Sequence, residues 1–332
     1  MKRRKKPFII LAVILVVVLF VAGYIKFFNG RLIYFTTGMK SGELIKTAGQ
    51  KTTYTCEADI LMSDVKKEYE EMFGSNIWRE KIGDADFESY IKDQIKSKLM
   101  RVKAMNVKAK ERGVVLGREE KDSVGKAVDA FYNELTESQI SSTGITKDKL
   151  NTMFTEFAIA QKLYDDLTSS MDIEVSADEA RVIDIQYIVS DSEEDINKAY
   201  NLVNSGSSFF AVAKEYNADG EYEYELKRSE MDAAFEKAAF NLSTGEMSSI
   251  VEAAGRYYII RCTSDNDKAK TEVNKSAILE KRKLEQFNAD FEKYESGIYM
   301  EFNNSEWKKL SIQDAYTLES SFEDTFNAYF GK

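Results

Sequence analysis

Residues 230–262, EMDAAFEKAAFNLSTGEMSSIVEAAGRYYIIRC, decide how the chain is read. Phe235, Ala238, Ala239 and Leu242 recur at helical spacing and so share one face. Ser243-Thr244-Gly245 breaks the helix, with Gly245 in the place of a left-handed cap. Tyr257-Tyr258-Ile259-Ile260 is short, β-branched and aromatic, the composition of a buried strand. Helix, turn and strand follow one another closely.

Working outward, the 332 residues leave room for about two domains. With 43% hydrophobic and 31% charged residues, the polar portion is expected to pack and dissolve. A net charge of −10 argues against a nucleic-acid partner, whose footprint is a basic patch. There is no histidine, which excludes Ser-His-Asp and Cys-His nucleophilic systems and removes the commonest metal ligand. Neither a metal nor a cofactor is implied. Cys56 and Cys262 make no disulfide framework, although a pairing outside the cytosol stays open. Pro7 is the one proline, and it precedes the apolar run described next.

The start, KRRKK at residues 2–6, is followed by the uncharged run 8–25. A run of this length is a membrane-span candidate, and its basic start should stay in the cytoplasm. Residues 1–28 are therefore read as an anchor with the bulk of the chain outside. The rival is a cleaved signal peptide, since Val21-Ala22-Gly23 offers small residues near a cut. Residues 29–49, with four glycines from Gly30 to Gly49, read as a loose spacer.

Residues 50–172 read as a helical module. Its expected helices are 54–73 (apolar at Ile60, Leu61, Val65, Tyr69, Met72 and Phe73), 87–112 ending at Gly113, 118–135 and 147–167. In residues 174–265, Ser176 with Glu179 forms a capping box. A strand over 182–189, a helix over 192–205 closed by Gly206, a helix over 209–216 and a polar loop over 217–230 then lead into the opening stretch. Residues 266–332 hold a charged helix over 268–294, apolar at Val273, Ala277, Leu284, Phe287, Phe291 and Tyr294. A strand within 298–302 and a short helix or ordered tail over 317–330 follow. The fold class is α+β.

Met231, Phe235, Lys237, Ala238, Ala239, Phe240, Leu242, Gly245, Glu246, Ser248, Val251, Gly255, Ile259 and Ile260 stand in a telling order. That order resembles the second half of a parvulin-type prolyl isomerase domain. Upstream, Asn76-Ile77-Trp78 and Gly113-Val114-Val115-Leu116 with Glu119-Glu120 resemble the N-terminal chaperone module of PrsA- and SurA-like foldases. In that family a helix after the isomerase domain packs back on the helical module, which would make residues 174–265 an insertion. Lipoprotein anchors are usual there, but Cys56 lies too far downstream to carry one.

The resemblance implies a site as well. Tyr187 stands where parvulins carry a histidine in the first strand. Tyr258 stands where a second histidine precedes the last Ile-Ile; anchoring on Gly255 selects Tyr257 instead. Tyr222 is nearest the family's acidic position, within Gly220-Glu221-Tyr222-Glu223-Tyr224-Glu225-Leu226. Tyr187, Tyr258 and Tyr222 are thus the implied catalytic residues, and Met231, Phe235 and Phe240 the implied proline pocket. Missing histidines do not forbid the reaction. An X-Pro bond turns over a barrier of about 18–20 kcal/mol with no covalent bond broken, so binding the twisted amide more tightly than the planar one suffices. The apolar run and the resemblance together give the leading reading, a membrane-anchored, single-pass extracytoplasmic foldase acting on unfolded or proline-containing exported polypeptides. The competing reading is an inactive chaperone that uses the parvulin-like domain only to hold clients.

Overall fold

In the computed structural model, which describes residues 38–331 apart from 219, 319 and 320, the chain divides into two units. One runs to Ser170 and resumes at Phe287; the other is Met171–Gln286. The anchor expected over residues 8–25 lies outside the described residues. Among the described residues, no helix is long and apolar enough to cross a membrane.

The first unit is mainly helical. Helix Phe87–Arg112 starts where Asp86 accepts the Ser89 N–H at 2.7 Å. It stops at Gly113, whose left-handed φ of 73° suits a residue without Cβ. Helices Thr55–Phe73, Arg118–Glu134 and Lys147–Thr168 complete the frame. Phe322 of helix Phe322–Phe330 lies between Phe131 and Phe154, with ring centroids 6.4 and 4.6 Å away. Three expectations are corrected here. The spacer contains strand Glu43–Thr47, whose Leu44 and Ile45 are buried; it pairs with Thr53–Tyr54 and Met300–Phe302. Phe73, expected on the apolar face, is 58% exposed. Val273 and Ala277 of helix Lys268–Glu295 are exposed too, whereas Phe287 and Phe291 are buried.

This unit encloses charge. Lys103 donates to both Glu156 oxygens (2.6 and 2.5 Å) and to the Lys51 carbonyl (2.7 Å). Burial pushes the neighbouring Glu57 carboxyl up to about 8, against the pull of Lys103. Burial likewise pushes Asp64 up to about 7, although it accepts the Phe322 and Glu323 N–H groups at 2.9 and 3.2 Å. Both folded pKa values lie above the unfolded ones, so the folded unit binds more protons. The associated stability is whole below about pH 4 and is lost as pH rises through about 7–8. The two tryptophans, Trp78 and Trp307, both belong to this unit, so their fluorescence isolates its unfolding. Denaturation midpoints read this way should fall between about pH 5 and about pH 8, and Glu57→Gln should flatten the fall. An unchanged slope in that variant would show that another group sets it.

The second unit is built on a four-stranded antiparallel sheet in the order Glu223–Leu226, Ile183–Ser190, Arg256–Ser264, Val251–Ala253. Side chains alternate across it. Ile183, Ile185 and Ile260 pack with Phe235, Ala239 and Phe240 of helix Ala233–Phe240. Ile188 and Ile259 pack on the opposite face with helices Glu193–Asn204 and Phe209–Tyr216. The expected polar loop therefore contains an edge strand. Gly245 is not the helix cap: the helix ends at Phe240 with Asn241 as its C-cap, and Gly245 turns the chain later at φ 91°. Ser176 accepts the Glu179 N–H at 3.1 Å, and Asn274 of helix Lys268–Glu295 donates to the Ala180 carbonyl at 2.9 Å, fixing the entry to the sheet. Cys56 and Cys262 are both free and buried.

Candidate functional site

The face under helix Ala233–Phe240 gathers most of the residues singled out from sequence. Phe235 is 2% exposed and meets the half-buried Tyr258 ring edge-on, centroids 5.0 Å apart at 80°. Met231, also half-buried, packs against the same cluster. Its position is fixed by Glu236, whose carboxylate accepts the Glu230 and Met231 N–H groups at 2.8 and 3.0 Å. Asp232 caps the helix by accepting the Ala234 N–H at 2.8 Å. Tyr187 pairs with Ile260, and residues directly opposed in an antiparallel pair project to one face. Register thus places Tyr187 on the side of Ile260 and Tyr258.

Two expected members are placed otherwise. Tyr222 belongs to the cluster on the opposite face, where its ring meets Phe210 at 5.1 Å and lies under the Lys214 ammonium. Its backbone joins Tyr187, accepting that residue's N–H at 2.8 Å. Phe240 does join the Phe235 cluster, but it is 5% exposed and covered. The Arg228 guanidinium lies 3.9 Å and that of Arg181 5.0 Å from its ring centre. Arg228 is in turn held by Asp178 through bonds of 2.7 and 2.9 Å.

Sequence reasoning missed two residues here. Asn217 is buried; its Oδ1 accepts the Val189 N–H at 2.9 Å, and its Nδ2 donates to the Tyr187 carbonyl at 3.0 Å. It continues the ladder beyond the end of the edge strand, so the strand carrying Tyr187 stays pinned. Asn217→Ala strands the buried Val189 N–H. It should destabilise this unit by about 1–3 kcal/mol, seen as lost hydrogen-exchange protection at Val189; unchanged protection would rule out the pinning role. The second is Arg256. Ala253 pairs with Arg256 across a two-residue turn, Ala254-Gly255, in which both φ angles are positive (50° and 76°). A non-glycine residue held there is strained by about 1–2 kcal/mol. Arg256 Nε donates to Asp191 Oδ1 at 2.6 Å. That bond holds the guanidinium above its ordinary pKa.

Chemically, the face offers an apolar floor, two phenols and a guanidinium. Such a set can bind and distort an amide by contact and hydrogen bonding. Residues 189–264 match the rotamase family described as the PPIC-type PPIASE domain. Foldase protein PrsA of Caldanaerobacter subterraneus is 24% identical over 240 residues, covering 67% of this chain and 73% of that one. Foldase protein PrsA of Clostridium botulinum is 22% identical over 289 residues, covering 77% and 81%. Residues 189–264 form a parvulin-type rotamase domain, and the chain as a whole is similar to PrsA foldases. A crystal structure of the peptidylprolyl isomerase PrsA from Bacillus cereus aligns over 87% of this chain and 99% of that one, at 19% identity and a TM-score of 0.37. The rotamase-family match and the PrsA relatives support a parvulin-type foldase, a peptidyl-prolyl isomerase by resemblance, that assists protein folding. Tyr222, Met231, Phe235, Phe240 and Tyr258 lie within the matched segment, and Tyr187 lies just before it.

Proposed function

We propose that this foldase is anchored in the membrane by its N-terminal segment, with the bulk of the chain outside the cytoplasm. There the rotamase domain holds a proline-containing stretch of an unfolded, exported polypeptide against Met231 and Tyr258. Phe235 supplies the floor beneath Tyr258, and Tyr187 lines the same face. Tyr222 has no part in this reading because its ring lies with the opposite cluster. The observation that carries the proposal is the edge-on Phe235–Tyr258 pair beside Met231, a half-open apolar surface with a phenol at its rim. Apolar contact with the proline ring and desolvation of its amide lower the barrier to twisting, with no proton transferred.

The holdase reading has support of its own in the first unit. Phe73 is 58% exposed beside the linked rings of Tyr69, Trp78, Phe87 and Tyr90, and Ile82 is 45% exposed. Apolar surface left open like this suits unfolded chains. Proline-limited refolding of a client, followed with the full chain, separates the activities. Faster refolding that Met231→Ala weakens supports catalysis at this face. Suppressed aggregation without faster refolding, lost in Phe73→Ser with Ile82→Ser, leaves the chain a holdase.

A further inference from the structure

We propose that residues 308–318 and helix Phe322–Phe330 form a strap lying in a polypeptide-binding channel of the first unit, and that an unfolded client displaces it. The inference goes beyond the proposed function and rests only on its premise that the chain binds unfolded polypeptides. Residues 308–318 form neither helix nor strand, yet Ile312, Ala315 and Leu318 are buried. A buried irregular segment needs partners for its backbone. Here they come from side chains on helices Thr55–Phe73, Phe87–Arg112 and Lys147–Thr168. Lys66 donates to the Gln313 and Ala315 carbonyls at 2.6 and 2.8 Å, and Lys92 donates to the Leu310 carbonyl. Glu88 accepts the Ile312 N–H at 2.7 Å. Asp64 accepts the Phe322 and Glu323 N–H groups, and Gln161 donates to the Phe330 carbonyl at 3.1 Å.

In peptide recognition, bonds to the main chain give affinity and pockets for spaced side chains give specificity. Both are present. Backbone N–H and C=O groups are the same in every chain, so Lys66, Lys92, Glu88 and Asp64 can hold a foreign segment as they hold the strap. Each of these bonds is exchanged, not lost, when a client backbone takes the strap's place. The deepest pocket is the ring slot around Phe322, formed by Phe131, Phe154 and Phe157, the last with its ring centroid 4.9 Å away. The buried anchors Ile312, Ala315, Leu318 and Phe322 stand three or four residues apart. The ligand class follows from them: an unfolded polypeptide with apolar side chains at that spacing and an aromatic one at the end. The strap's advantage over such a ligand is its tether, which starts from the buried Trp307. A short tether acts like a competitor at roughly millimolar concentration. Clients that fill the pockets poorly are thereby turned away.

The test adds reduced, carboxymethylated α-lactalbumin, a permanently unfolded polypeptide, to the full chain and follows amide exchange. At saturation, exchange at Ile312, Phe322 and Glu323 should speed up about tenfold or more, while the middle of helix Phe87–Arg112 keeps its protection. The double variant Ser311→Ala with Gln313→Ala loosens the strap from its own side. It removes the Ser311 hydroxyl and Gln313 amide bonds to Glu88, of 2.7 and 2.5 Å. It keeps every side chain of the channel and all four buried anchors, and its fold is checked by tryptophan fluorescence. A larger open fraction should make it bind the probe about tenfold more tightly than wild type. A synthetic peptide copying residues 308–331 should compete for that binding. Probe binding that leaves exchange at Ile312 and Phe322 unchanged, an affinity not raised in the double variant, or a peptide that does not compete overturns the strap and leaves client binding standing elsewhere on the chain. If neither chain binds the probe, the client reading itself is overturned, and the strap falls with it.

Discussion

Replacing Lys103 by alanine should lower the stability of the first unit by about 3–5 kcal/mol, the range found when one partner of a buried ion pair is removed. Lys103 is 1% exposed and spends all three ammonium donors, two on Glu156 and one on the Lys51 carbonyl. The variant leaves the Glu156 carboxylate buried without its cation, close to Glu57, whose own carboxyl is already pushed up to about 8 by burial. Glu156→Ala should be as damaging, because it strands the ammonium instead. The pair Lys103→Met with Glu156→Leu should recover most of the loss, since apolar groups of similar size need no compensation. Tryptophan fluorescence against denaturant reads the result for this unit alone. Two single variants within about 1 kcal/mol of wild type would mean that water reaches the pair, and the account of a closed core would fail.

How much of this was legible in the sequence depended on range. Helix Phe87–Arg112 was readable to its ends because Asp86 and Gly113 act within one turn of it. The Ser176 cap was readable for the same reason. Strand Glu223–Leu226 was not read, although Glu-Tyr-Glu-Leu alternates at the strand period. Its acidic residues suit an edge, and its partner Ile183–Ser190 is remote in sequence. Strand Glu43–Thr47 was hidden among glycines, and one of its partners comes near the end of the chain. The site shows the same limit. A motif position cannot say which face a side chain takes, since one step along a strand reverses it; that is how Tyr222 came to be grouped with residues from which its ring is separated. Phe240 matched the family pattern, yet the two arginines that cover it come from elsewhere in the chain. Met231, Phe235 and Tyr258 meet because the helix and strand of one short stretch fold directly onto each other.

Phe235→Ala should destabilise the rotamase domain by about 3–5 kcal/mol, the usual effect of emptying a buried phenylalanine site. Phe235 is 2% exposed and lies among Ile183, Ile185, Leu226, Ala239 and Ile260, a close-packed surround that can collapse only in part into the void. The loss should appear as faster amide exchange at Ile185 and Ile260, while the tryptophans of the other unit report no change. The same substitution removes the ring on which Tyr258 rests, so poorer peptide binding in it cannot be separated from unfolding. Met231→Ala makes that separation. Met231 is half-buried at the edge of the cluster, and its loop is held by backbone bonds to Glu236 that the substitution keeps. The domain should therefore melt close to wild type, while a prolyl peptide loses affinity at roughly 25 cal/mol per Å² of contact removed. The comparison peptide, with alanine in place of proline, should lose much less. If both peptides bind the wild-type chain equally, or if Met231→Ala weakens both alike, this face is a general apolar surface and the proline pocket is refuted. If Phe235→Ala leaves exchange at Ile260 unchanged, the ring does not support the sheet, and the account of this core fails.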